Sequence, residues 1–148
     1  MTDQRKHGQA LAEFALVLPI FLIILFAIID VGRFVYTANT LSNSAREAAR
    51  IGSVGVRPTE CGGMSRQACI QRIARDRSWA IPGTITTTVT CERVALGGGT
   101  SVVATSSCRS GDLLRVRTAV PFTVMTPVVG QLLNGVIVAG DTRVTVNQ

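Results

Sequence analysis

From Phe14 to Ile29 no polar side chain interrupts the chain, and from Leu11 to Ile29 the apolar run is about 19 residues long. As a helix rising 1.5 Å per residue it measures roughly 28 Å, about one bilayer core. The run therefore divides the molecule into a membrane-spanning anchor and a remainder. Of the 148 residues, about a hundred are left for one modest domain, enough for a small fold but not for a deep catalytic cleft.

The flanks orient the anchor. Arg5 and Lys6 precede it, and Asp30 and Arg33 follow it. Two basic residues beside the amino terminus place that end in the cytoplasm. The four cysteines, Cys61, Cys69, Cys91 and Cys108, all lie beyond the run, and an oxidising compartment on that side agrees with this orientation. A cleaved secretory signal is the alternative. It needs a small-x-small site, which Asp30-Val31-Gly32-Arg33-Phe34-Val35-Tyr36 does not offer.

The helix is expected to continue out of the membrane. Val31, Phe34, Val35, Ala38, Leu41, Ala45, Ala48 and Ala49 recur at spacings of three and four, forming one apolar stripe. Arg33, Thr37, Thr40, Ser44 and Glu47 are assigned to the opposite side. Gly52, Gly55 and Pro58 supply the stop. One helix from about Ala10 to Ile51 is expected, on the order of 60 Å long. Pro19 removes the backbone bond to the Ala15 carbonyl and predicts a kink there. The stripe serves either helix–helix assembly through its small residues or the protein's own sheet.

Beyond this helix, Met64 to Ala80 reads as a short amphipathic helix capped by Ser65 and ended by Pro82-Gly83. Trp79 is expected as its core anchor, and Arg66 is expected to face outward. Ile85–Val94 and Leu113–Val124 alternate as strands. Gly97 to Gly111 reads as a flexible excursion, and Pro127 to Leu133 as a short helical or turn insert. Val136–Val146 is the closing strand, broken at Gly140-Asp141. The fold class is α+β: a long transmembrane helix running into a domain with a second helix and a three-stranded antiparallel sheet.

An even cysteine count reads as disulfides with three allowed pairings, of which the sequence-local one, Cys61–Cys69 and Cys91–Cys108, is favoured. Zinc is the competing reading, though C-x-x-C pairs are missing and no histidine accompanies the cysteines. His7 is the only histidine, so no imidazole-based catalytic constellation can form in the domain, and neither an enzyme nor a cofactor is expected. The net charge of +6 is almost wholly arginine, since Lys6 is the only lysine. The arginines are scattered without interleaved aromatics, which argues against nucleic acid as a partner. The triple glycine 97–99 lacks the Lys-Ser/Thr of a phosphate cradle.

Glu13 stands at the head of the apolar run. A carboxylate near a membrane-helix centre costs about 2.5–3.5 kcal/mol on insertion scales, less near the end, so such a charge generally has a partner or a role. Gly8-Gln9-Ala10-Leu11-Ala12-Glu13-Phe14, the apolar run, Asp30-Val31-Gly32-Arg33, and Asn39-Thr40-Leu41 through Ala45-Arg46-Glu47-Ala48-Ala49-Arg50 resemble the TadE-like family. These are pilin-like minor components of bacterial tight-adherence (Tad, or Flp) pili. Val120-Pro121-Phe122, the short insert and the final strand echo the likeness more loosely. The resemblance implies a pilin-like fold and cutting by a prepilin peptidase between Gly8 and Gln9. It makes residues 1–8 a cytoplasmic leader, 9–30 the transmembrane part of the helix, 31–52 its extramembrane part and 53–148 the extracytoplasmic domain.

Glu13 would then be the fifth mature residue, able to meet the new amine of a neighbouring subunit. Gly8 would present an extended backbone to the protease. The implied partners are other pilin-like subunits, the inner-membrane assembly machinery, the peptidase and membrane lipid. The implied location is the bacterial inner membrane, with the domain outside and incorporation into a pilus. The alternative is a membrane-anchored envelope binding module that never enters a filament.

Overall fold

The computed structural model describes residues 3–54, 59–95, 97–126, 130 and 135–147. The expected insert at Pro127 to Leu133 falls almost wholly outside them. Helix α1 spans Asp3–Ser53, 51 residues with Pro19 inside, roughly 77 Å of helix. It ends one residue after Gly52. A Cβ at Gly52 would lie 2.6 Å from both Ile70 Cδ1 and Leu114 Cδ2, so glycine lets the domain close over the last turn as well as ending it. Arg66 donates from Nε and Nη2 to the Gly52 carbonyl at 2.9 and 2.6 Å, satisfying a helix-end acceptor. Arg66 therefore turns back onto α1 instead of facing outward.

Helix α2 spans Arg66–Asp76, with the Ser65 hydroxyl accepting from the Ala68 amide. It ends four residues short of the expected Ala80, and that moves Trp79 off the apolar face. Trp79 is 84 % exposed, which corrects its expected place in the core. Ile70, Ile73 and Ala74 carry the helix's buried side.

The sheet has four strands rather than three: β1 Thr86–Val94, β2 Thr100–Val103, β3 Leu113–Pro121 and β4 Ile137–Thr145. They are antiparallel in the order β2-β1-β3-β4. The strand not anticipated, β2, lies in the glycine-rich excursion. The Ala95 amide donates to the Gly99 carbonyl at 2.8 Å, turning the chain so that Thr100–Val103 pairs with Cys91–Val94. The Cys91–Cys108 disulfide then ties the return segment to β1, and Cys61–Cys69 joins the turn after α1 to α2. The sequence-local pairing is the one present.

The closing strand is also unbroken at Gly140-Asp141. Gly140 pairs with Thr118 and faces α1, where a Cβ would strike the Leu41 carbonyl and the Ser42 nitrogen. Glycine at this position permits close helix–sheet contact and does not interrupt the ladder.

The upper half of α1 lies on the inner face of this sheet. Leu41, Ala45, Ala48 and Ala49 are fully buried, together with Leu114, Val116 and Val120 of β3. Thr37 and Ser44 are buried too, contrary to the polar side assigned to them. Their hydroxyls donate to the Arg33 and Leu41 carbonyls, 2.8 and 2.9 Å away. Burial is inexpensive when the polar group is bonded within its own helix. Thr118 Oγ1 donates to the Leu41 carbonyl at 3.0 Å, stitching β3 to α1.

Candidate processing segment and helix–domain junction

Strand β3 runs against α1 and controls what reaches the helix where it leaves the domain. At one end, Leu113 pairs with Thr145 and the Asn147 amide donates to the Ser53 carbonyl at 2.8 Å. At the other end, β3 stops at Pro121, short of the expected Val124, and delivers Phe122–Thr126 to the middle of α1. Phe122 meets Phe34 edge-on at 5.6 Å between centroids, and the Arg33 guanidinium lies 5.6 Å over the Phe122 ring.

The centre of this junction is Asp30, 7 % exposed. Its carboxylate accepts the Met125 amide at 3.0 Å, the Thr126 amide at 3.0 Å and the Thr126 hydroxyl at 2.7 Å. Arg33 Nη1 adds a fourth bond at 3.2 Å. Every part of this clamp is charge-assisted. The residue that closes the apolar run is thus bonded to a loop more than ninety positions further along the chain. Sequence reasoning treated Asp30 only as a flank. The available signal was an acid following hydrocarbon with no cation other than Arg33 nearby, a group that calls for donors.

Below Asp30 the helix has no cover. All residues from Gly8 to Ile29 are exposed apart from Ala27, which is half-buried. Among the described residues one helix is long and apolar enough to cross a membrane, and it is this one. Gly8, Gln9 and Glu13 sit on its exposed surface. Gly8 is helical, not extended, and a Cβ there would meet nothing within 4 Å. Among the described residues Glu13 has no ionic partner. The stripe that was expected to act as one face divides: Leu41, Ala45 and Ala48 are buried by the sheet and Ala38 is half-buried, while Val31, Phe34 and Val35 remain exposed.

Several arginines are matched to acids. Arg93 donates to Asp112 at 2.8 and 3.0 Å, and with the Arg109 amide it holds the Asp112 carboxyl down to about 2. Arg115 pairs with Asp141 and stands 3.9 Å from Glu92. Hydrogen bonding from Arg50 lowers the Glu47 carboxyl below its ordinary range. On the outer sheet face a depression of about 520 Å³ is lined by Thr86, Thr88, Thr90, Arg115 and Arg117. It holds hydroxyls and guanidinium groups with no imidazole. The sulfurs of Cys91 and Cys108 lie near Asp112, but each is bonded to the other and offers no thiolate.

Residues 8–50 match the family model described as TadE-like protein. No curated protein and no solved structure matched the chain. The matched segment holds Gly8, Glu13, the apolar run, Asp30 and the buried upper stripe, so it covers the whole transition from exposed helix to domain. Over Gly8 to Arg50 the chain is therefore similar to TadE-like proteins.

Proposed function

We propose that this protein is a non-enzymatic minor pilin-like subunit acting in assembly of a Tad-type (type IVb, Flp) pilus. The observation that carries the reading is the TadE-like match on a helix whose lower half is bare and whose upper half is built into a disulfide-bonded domain. The helix inserts with its N-terminus in the cytoplasm and its domain outside. A prepilin peptidase cuts between Gly8 and Gln9, removing residues 1–8. The cut requires the turn around Gly8 to unwind, and glycine makes helix least favourable there among residues other than proline. Glu13 then faces the amine of a neighbouring subunit, each group offsetting the other's desolvation. Pro19 bends the helix within the bilayer. Contact with neighbouring pilins falls to the bare helix and, only after the subunit has left the bilayer for the filament, to Val31, Phe34 and Val35.

Deleting the gene should abolish pili, and the tagged chain should co-purify with sheared filaments. Normal piliation in the deletion strain would overturn the reading. One observation favours a second reading, a membrane-anchored envelope module: the sheet already occupies Leu41, Ala45 and Ala48, which leaves less helix surface for neighbours. That reading predicts retention in the membrane fraction only.

A further inference from the structure

We infer that the lower rim of the domain is a lipid-binding seat, in which Met125 and Phe34 insert among phospholipid headgroups around Arg33. The inference rests on the membrane-spanning reading of α1 and goes beyond it, because it assigns a bilayer contact to the domain itself.

The placement follows from the Asp30 clamp. The apolar run ends at Ile29, and Asp30 is the next residue. The Met125 amide lies 3.0 Å from the Asp30 carboxylate, so the Phe122–Thr126 loop is held at the level where the helix leaves hydrocarbon. Side chains on a helix tilt toward its N-terminus, which carries the carboxylate, and the loop with it, toward the membrane side. Met125 is bound by its backbone, yet its side chain is 62 % exposed.

Beside it stand Val31 at 63 %, Phe34 at 42 % and Val35 at 50 % exposed. From Ile29, Val31 is roughly 3 Å up the axis and Phe34 roughly 7.5 Å. The headgroup layer on each side of the hydrocarbon is itself about 5–7 Å thick. Val31 therefore falls inside that layer, and Phe34, whose side chain tilts toward the membrane, reaches its outer edge; both continue the lipid-facing surface of the helix. Arg33 is stacked over Phe122 and one-third exposed, positioned to bond lipid phosphate while its stem stays on the ring. Asp30 neutralises part of the Arg33 charge but occupies only Nη1 among its donors to acids, leaving the fork's other donors for the headgroup. The occupant that fits is a phospholipid interface; a second copy of the chain is the competing occupant.

The test uses the full chain in phospholipid vesicles with Trp79, the only tryptophan, changed to Phe. Single probes are introduced as Phe21→Trp in the span, and as Met125→Trp and Phe34→Trp in the rim. Lipids brominated deep in the acyl chain should quench the Phe21→Trp probe most. Lipids brominated near the headgroup should quench both rim probes more than the deep lipids do, with a blue shift of emission relative to the Trp79 of the unmodified chain. Two rim positions are used so that a folding defect at one leaves the other to decide. Quenching of the span probe alone, with both rim probes open to aqueous iodide, would overturn the seat and leave the membrane reading intact. Loss of quenching at all three positions would overturn both. Rim probes shielded from lipid and iodide alike, on a chain that migrates as a dimer, would assign the rim to a second copy and overturn the seat.

Discussion

Gly140→Ala is the sharpest single test of how the helix and sheet are joined. A Cβ at this position would strike the Leu41 carbonyl and the Ser42 nitrogen, and both are backbone atoms of a helix that cannot yield locally. Strand and helix would have to separate, loosening Leu41, Val120 and Val138 and stretching the 3.0 Å bond from Thr118 Oγ1 to the Leu41 carbonyl. Overpacking typically costs 1–3 kcal/mol, and a backbone clash belongs at about 3. Loss of the Thr118 bond adds about 1 kcal/mol, while the smaller unfolded-state entropy of alanine returns about 0.4–1. A net loss of about 3 kcal/mol corresponds to a fall in Tm of at least roughly 10 °C for a domain of this size. Thermal unfolding of the full chain in detergent, followed by circular dichroism, measures it. Gly32→Ala is the control: a Cβ there meets nothing within 4 Å, and alanine in a helix should leave Tm unchanged or raise it. A Gly140→Ala protein with wild-type Tm would refute the close-contact reasoning.

Three further outcomes follow from the same geometry. Because Asp112 is held near 2 by Arg93 and the Arg109 amide, its contribution to stability is complete above the unfolded value of about 3.9 and is lost as pH falls toward 2; denaturant titrations should show this loss in wild type, and Asp112→Asn should remove that component. Asp30→Ala should speed hydrogen exchange of the Met125 and Thr126 amides by roughly ten- to a hundredfold, whereas unchanged protection at both would mean that the clamp does not hold the loop. Replacing Cys91 and Cys108 by Ala opens a link across a sequence separation of 17 and should cost about 3 kcal/mol in chemical unfolding, more than the same change at Cys61 and Cys69, whose separation is 8.

What could be read from the sequence was what rests on local pattern. The apolar run, the three- and four-residue stripe and the Ser65 cap each follow from neighbours within a turn or two, and the structure contains the long helix, the buried upper stripe and the cap. The misreadings share a cause: tertiary contact overrode a local sign. Gly140 carries the composition of a strand break but lies where a helix backbone passes. Trp79 looks like an anchor until α2 ends before it. Thr37 and Ser44 read as solvent residues, yet bonds to their own helix let them be buried. Thr100–Val103 is too short to show alternation and becomes a strand only because the 95–99 turn returns it to β1. Asp30 was not legible as a clamp because its donors other than Arg33 are more than ninety residues away.

The central claim is that Gly8 and Glu13 act together, as a cut followed by a charge. It is tested most directly by intact-mass measurement and N-terminal sequencing of the chain isolated from cells with and without the prepilin peptidase. The account predicts a mature chain beginning at Gln9 when the peptidase is present, and an N-terminus still carrying residues 1–8 when it is absent. A chain that begins at Met1 in both strains would contradict it.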